Sequence, residues 1–315
     1  MSEQLALGVD IPTDGEVRRD NYVYGFCRSL HGMGFEKDQL TEQNIRQQYV
    51  CLCPSVVGKL SAKGDRPSVV EEWRAAQALC PGTPIKITIP GPMTICDTVA
   101  VEKAIADCIY ADREAICADL VPILRREVFA LADAGCKHIQ IDEPVFARCV
   151  EDTLRYGIEN LNDILRGLPA DIVRSVHLCC GYPNHLDHVG YVHAPKENYL
   201  QLAPLLDESE AHWISLEDAH CRNDLSRLLP LFRKKTVMLG SITVHRSRIE
   251  SVEEIQGRLE EALRYIDVAR LVLAPDCGLG FLPEKIRLAK MRNLRRARDN
   301  IAKNLNGGKY IVAHM

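Results

Sequence analysis

Short apolar runs alternate with longer stretches of helical periodicity along the whole chain, and this alternation limits the fold more than any other feature. The candidate strands are Leu5–Ile11, Ile85–Ile89, His138–Asp142, Ile172–Leu178, His212–Leu216, Thr236–Ile242 and Leu271–Ala274. Between them lie helix-like segments. In Ala111–Ala134, residues Ile116, Leu120, Leu124, Val128 and Leu131 fall on one face. Ser251-Val-Glu-Glu254 has the form of a capping box and predicts a helix running through Tyr265. Glu284–Leu305 predicts a last, basic helix. Strands alternating with helices imply a parallel sheet with helical crossovers, either open and doubly wound or closed into a barrel. No Gly-x-Gly-x-x-Gly follows the first strand, which weakens the dinucleotide-binding version. Polar and reactive residues instead close nearly every strand: Asp14 and Glu16, Asp142 and Glu143, His177 and Cys179, Glu217, His245, Asp276 and Cys277. Chemistry gathered at many strand carboxyl ends predicts an α/β fold of the TIM (β/α)8 type. Seven candidate strands fall one short of that barrel. No linker-like stretch interrupts the chain, so residues 1–315 read as a single barrel domain.

Composition removes several classes of function. A net charge of −4 and a pI near 6.2 argue against nucleic acid as a partner. No apolar run reaches the roughly 18–20 residues that cross a bilayer, so no membrane span is expected. Met-Ser-Glu-Gln lacks the basic start and apolar core of a secretory signal. Thirteen cysteines in such a chain read as reduced thiols in a cytoplasmic protein, some of them available to a metal.

Residues two apart in a strand face the same side, so His177 and Cys179 should present an imidazole and a thiol to one place. Cys277, in Ala-Pro-Asp-Cys-Gly-Leu-Gly, and Glu217, in Trp-Ile-Ser-Leu-Glu, also lie at strand ends. One His, two Cys and one carboxylate suit a tetrahedral zinc ion, because soft thiolates with imidazole select zinc over magnesium or calcium. The bland alternative is that these cysteines are small buried hydrophobes. Cys180 would be the inward-facing thiol if the strand ended one residue early. Asp142-Glu143-Pro144 makes a sharp strand exit. It reads either as a grip for a substrate ammonium group or as a helix cap by Asp142 beside a solvated Glu143. Thr13-Asp-Gly-Glu16-Val-Arg-Arg reads either as a similar grip or as a charged surface turn. His245 has the place of a proton donor or acceptor, though a hydrogen-bonded structural histidine is the commoner case. Gly91-Pro-Met-Thr94 is a backbone turn.

Seven motifs, in order, carry a resemblance: Thr-Asp-Gly-Glu16-Val-Arg-Arg, Gly91-Pro-Met-Thr, Gln-Ile-Asp142-Glu-Pro, His177-Leu-Cys179, Ile-Ser-Leu-Glu217, Val-His245-Arg-Ser and Pro-Asp-Cys277-Gly-Leu. Together they resemble the catalytic domain of cobalamin-independent methionine synthase, a zinc-dependent barrel related to uroporphyrinogen decarboxylase and to alkyl transferases acting on coenzyme M. The resemblance implies zinc held by His177, Cys179, Glu217 and Cys277, an amino-acid thiol held through Glu16 and Asp142, and proton transfer by His245. It implies methyl transfer to homocysteine from methyltetrahydrofolate, or from another donor such as a methylated corrinoid protein. A homo-oligomer fits this reading. Alkyl transfer to a different thiol and an inactive zinc-binding relative are the alternatives.

The chain departs from the family in three ways. The family's first strand and helix, before the Asp-Gly-Glu motif, have no counterpart here, so a gap is expected unless another chain or the C-terminal segment Lys309–Met315 fills it. The large folate-binding N-terminal half of the full synthase is likewise not in this sequence. Gly181–Pro204 reads as an insertion carrying His185, His188 and His193, expected to form a polar lid rather than extra metal ligands.

Overall fold

In a computed structural model, residues 1–45, 49–64, 68–304 and 311–312 are described. The strands are β1 (Leu30–Gly34), β2 (Thr41–Ile45), β3 (Tyr49–Cys53), β4 (Ser55–Ala62), β5 (Lys86–Pro90), β6 (His138–Asp142), β7 (Val173–Leu178), β8 (Trp213–Leu216), β9 (Thr236–Ile242), β10 (Leu271–Pro275) and β11 (Ile311–Val312). Strands β5 to β11 form one parallel sheet in chain order. Helices connect them, as the alternation requires.

Two layers divide the residues of each strand by parity. Ile87, Ile89, Ile139, Ile141, Val176, Leu178, Ile214, Leu216, Val237, Leu239 and Leu273 join the large apolar cluster between sheet and helices. That cluster also takes Ile116, Leu120, Leu124, Val128 and Leu131, the face read from the helix now bounded by Arg113 and Asp133. Residues of the other parity lie within the barrel. They include a small cluster of Ile11, Met238, Val272 and Ala274 with Trp213 against it. Buried Lys86, Thr88, Gln140, Ser175 and Ser215 share this parity, and so do Asp142, His177, Cys179 and Glu217 nearer the carboxyl ends. Register places Pro90 beside Asp142 and Asp142 beside His177, so neighbouring strands deliver these residues to one rim.

The structure corrects the reading of the N-terminus. Leu5–Ile11 is not a strand: Ser2–Ala6 is helical, and Gly8 turns the chain at φ +77°. Only then does the chain run along the sheet. Thr13 bridges Lys86 in parallel, with the Lys86 amide donating to the Pro12 carbonyl at 2.9 Å. This adds an eighth stave to the seven strands of the sheet. The exposed side of that stave has a side-chain partner. Gln4 donates through Nε2 to the Thr13 carbonyl and accepts through Oε1 from its amide, both at 2.9 Å. One carboxamide thus satisfies two backbone groups that a neighbouring strand would otherwise pair. At the other edge, Ile311 and Val312 pair in parallel with Val272 and Leu273, occupying the place where a gap was expected. Ile11 shares its cluster with Val272 and Ala274, so the first stave and β10 meet across the interior. The rest of Lys309–Met315 lies outside the described residues.

Residues 30–62 carry strands that the sequence reading did not assign. β1 pairs antiparallel with β4, and β2 with β3. No helix among the described residues is long and apolar enough to cross a membrane.

Candidate metal and substrate site

His177 is the penultimate residue of β7 and is buried. Its Nδ1 lies 3.0 Å from the Ser215 hydroxyl of the neighbouring β8, which fixes the ring. Its Nε2 is buried and has no hydrogen-bond partner. Cys179 follows two residues later with the same parity, and Cys277 follows the end of β10. One ligand atom from each of His177, Cys179 and Cys277 lies within 4.8 Å of the other two. The adjacent Cys179 thiol and burial push the Cys277 thiol well above its ordinary pKa. Crowded soft donors and an unsatisfied imidazole nitrogen fit a thiophilic divalent cation, which would reverse the penalty on the thiolates.

The structure does not bring Glu217 into that trio. It groups Glu217 with Cys180 and Cys221, again within 4.8 Å. One Glu217 oxygen accepts from the Cys180 amide at 3.1 Å, and the other is buried without a partner. Burial, and then the nearness of Cys179, raise the Glu217 carboxyl. Glu217 nevertheless lines one narrow cleft, partly open to solvent, with Cys277, His245, His220, Tyr191 and Asp276.

His245 lies past the end of β9, with its ring edge-on to His220 at 4.1 Å between centroids. Its Nε2 is buried and unpartnered. Burial, and then the neighbouring His220, push His245 down to about 3. The ring is therefore neutral at physiological pH and offers one N–H and one lone pair, so it can relay a proton without being a resident imidazolium.

Glu16 and Asp142 sit toward the β5–β6 side of the rim. Glu16 accepts from the Thr88 hydroxyl and pairs with Arg19 at 3.1 Å. Asp142 accepts from Gln140 Nε2 at 2.6 Å. Burial and then the Asp142 charge raise the Glu16 carboxyl. Burial raises Asp142, opposed by His177 and Gln140. A carboxylate raised by burial and by a neighbouring carboxylate favours a cation beside them.

Glu143 reverses the sequence expectation. It is buried rather than solvated, and it caps the helix Pro92–Thr98. It accepts from the amides of Met93 and Thr94 at 3.0 Å and from the Thr94 hydroxyl at 2.7 Å. This explains Gly91-Pro-Met-Thr94: a Cβ at Gly91 would stand 2.2 Å from a Glu143 oxygen. Asp142, for which capping was the bland alternative, is free of that task and faces the barrel.

The sequence reading also missed what holds the loop after β8. Asp276 accepts the amides of Asp218, Ala219 and His220 at 2.8–2.9 Å. Asp218 then makes a buried fork with Arg258, two bonds of 2.7 Å. The Pro-Asp-Cys motif offered the signal, because an acid beside a ligand-like cysteine often organises backbone rather than substrate.

Of the expected insertion Gly181–Pro204, Gly181, Tyr182 and Tyr191 line the cleft, whereas from Asn198 the chain is already in the helix Asn198–Glu208, which buries Tyr199 and Leu202 in the core. Tyr191 touches His220 through a 2.8 Å hydrogen bond. The Asp187 amide donates to the His245 carbonyl, and the Ala194 amide to that of Cys180. His185 and His188 stack on each other at 4.5 Å. Among the described residues, neither these two nor His193 belongs to a cluster that could hold a metal.

A β/α barrel with a Cys/His trio that could hold a metal, and with carboxylates on the same carboxyl rim, has the layout of a group-transfer enzyme. Comparison with known proteins narrows this. A model of the cobalamin-independent synthase catalytic domain matches residues 1–300, and the chain belongs to that family. It is 31% identical to a methionine synthase of Sulfolobus acidocaldarius, over 91% of this chain and 75% of that protein. It is 30% identical to one of Sulfurisphaera tokodaii, over 96% and 80%. Among solved structures it resembles a B12-independent methionine synthase from Shewanella sp. W3-18-1 in complex with selenomethionine. That match has a TM-score of 0.83 and 29% identity, covering 97% of this chain and 86% of that one. A methyltransferase from Methanosarcina mazei, at 18% identity and a TM-score of 0.56, shares the fold. The chain is a methyltransferase of the methionine synthase kind.

Proposed function

We propose that this single barrel domain transfers a methyl group to the thiol of homocysteine, giving methionine, with zinc as its resident metal. The observation that carries the reading is the trio His177, Cys179 and Cys277, its ligand atoms within 4.8 Å and its imidazole Nε2 without a partner. Zinc would be held by these three, with Glu217 as the fourth and most readily exchanged ligand, since a hard oxygen yields to a soft sulfur. When bound, it would favour the thiolate form of the acceptor, the only form that is a good nucleophile at neutral pH.

The chain's own residues do the rest. Glu16 and Asp142 hold the substrate ammonium, whose desolvation needs carboxylate partners. Ser215 fixes the His177 ring through Nδ1 and so aims Nε2. Asp276 fixes the loop that carries Glu217 and His220. His245 hydrogen-bonds the departing donor atom and takes part in its proton transfer. Methyltetrahydrofolate, or a methylated corrinoid protein, supplies the methyl group. Thirteen cysteines, none of them in a disulfide, suit the reducing cytoplasm as its location.

Metal analysis with X-ray absorption tests the reading. The protein should carry about one zinc per chain. The edge should show two sulfur ligands alone and three with homocysteine. An unchanged sulfur count with homocysteine would exclude direct activation of the acceptor.

A further inference from the structure

Lys86 is a charged residue inside the barrel, only 2% exposed, at a depth where such barrels are filled by branched apolar side chains. Its Nζ lies 2.7 Å from Gln140 Oε1, and Gln140 Nε2 lies 2.6 Å from Asp142 Oδ1. An ammonium can only donate and a carboxylate can only accept, so the two ends fix which way the Gln140 amide faces. Register supports the chain of contacts: Thr88 stands beside Gln140 and Pro90 beside Asp142, so the three polar groups climb from the barrel interior to its rim. Burial pushes Lys86 down to about 8, while Asp142, Glu16 and Cys277 pull it up, so it remains an ammonium at neutral pH. Gln140, with the nearby charges of Asp142 and Glu16, offsets the cost of burying this ammonium, so Lys86 belongs to a polar chain that ends at the rim rather than to the apolar filling.

We propose that Lys86 is a positioning residue for amino-acid recognition: through Gln140 it locks one oxygen of Asp142 and leaves the other to the substrate ammonium. The inference rests on the reading of Asp142 as a contact of that ammonium. Its chemical consequence is selectivity. A carboxylate held at one angle rewards a thiol that carries an α-amino group and gains nothing with one that lacks it.

The test compares Lys86→Met, Gln140→Leu and the double variant, each with homocysteine and with 4-mercaptobutyrate, which has no amino group. Each single variant should raise KM for homocysteine about ten-fold, the worth of one charge-assisted hydrogen bond. The loss should fall on KM rather than kcat, and 4-mercaptobutyrate should be unaffected. The double variant should be no worse than either single one, because the two residues act in series. Equal KM losses for both thiols, additive losses, or a lowered melting temperature with KM unchanged would each overturn the inference. If Lys86→Met fails to fold, Gln140→Leu carries the same comparison. Asp142→Asn separates the two readings. Equal losses for both thiols in that variant remove the Asp142 assignment itself. An amine-selective loss there, with none in Lys86→Met, removes only the role of Lys86.

Discussion

The two ends of the site are finished to different degrees. At the metal end, His177 Nε2, one Glu217 oxygen and His245 Nε2 are buried without partners. At the ammonium end the two carboxylates are themselves held, Glu16 by Thr88 and Arg19 and Asp142 by Gln140, although Arg19 Nη2 and one Asp14 oxygen beside them are also buried without a partner. Buried polar groups are normally satisfied, so orphans gathered in one place mark where something must bind. Groups already held by neighbours mark where a ligand is selected by orientation. The difference fits a metal end completed by an added cation and an ammonium end whose carboxylates are oriented by the chain itself. Cys277 lies close enough to both Cys179 and Asp142 to be raised by each, so the two ends share a border.

The largest expected effect separates the ends outright. Cys179→Ala or Cys277→Ala should empty the metal end, with a loss in metal affinity greater than the roughly 10–100-fold that follows removal of a supporting partner. Activity should fall to background, with folding retained. Cys180→Ala should leave metal content unchanged, since Cys180 lies outside the trio. Metal analysis of the three purified variants checks this. Loss of metal in Cys180→Ala alone would reverse the assignment of the two cysteines.

The next effect belongs to the ammonium end. Asp142→Asn should raise KM for homocysteine by about 10–100-fold, as expected when a buried charged hydrogen bond is lost, and leave zinc content intact. Steady-state kinetics with homocysteine and 4-mercaptobutyrate, beside a zinc assay, reads both quantities. A variant that lost zinc as well would mean that the two ends are one unit.

A third effect comes from the imidazoles over the metal end. His245 titrates near 3 and His220 near 4, both pushed down chiefly by burial, against about 6.5 when unfolded. A depressed histidine leaves the unfolded state binding more protons. The stability is therefore complete above pH 6.5 and is lost as pH falls toward 4. The slope is at most about 1.4 kcal/mol per pH unit for each ring. Denaturant titrations between pH 7 and 4.5 should show this decline, and His220→Gln should flatten it. A decline of equal slope in that variant would place the acid sensitivity elsewhere.

Much of this was legible in sequence because strand parity is strict. His177 and Cys179, two apart at the end of an apolar run, had to share a side, and the helix face from Ile116 to Leu131 had to be buried. What failed was local competition. Leu5–Ile11 is apolar enough for a strand, yet its first residues coil into a helix whose Gln4 returns to Thr13, a contact nine residues away that no pattern announces. The pairing of β11 with β10 joins residues far apart in the chain and rests on a two-residue strand, too short to show periodicity. Residues 30–62 mix Cys, Gly and Lys with apolar residues, so neither period stood out. The position of Glu217 depends on the Cys180 amide, a backbone donor that side-chain motifs do not report.

The smallest effect on activity should come from the neighbour of Asp142. Glu143 and Asp142 are adjacent acids on opposite faces of a strand end, one capping a helix and the other facing the barrel. Glu143→Gln keeps the shape but sets an amide NH2, which has no acceptor there, against the Met93 and Thr94 amides. A helix cap of this kind is worth about 1–2 kcal/mol. The variant should therefore lose that much stability in a denaturant titration while its KM for homocysteine stays at the parent value. Asp142→Asn should show the opposite pattern, with KM raised and stability nearly kept. If Glu143→Gln instead raised KM as much as Asp142→Asn, the strand end would act as one acidic patch, and orientation by the scaffold would no longer explain the ammonium end.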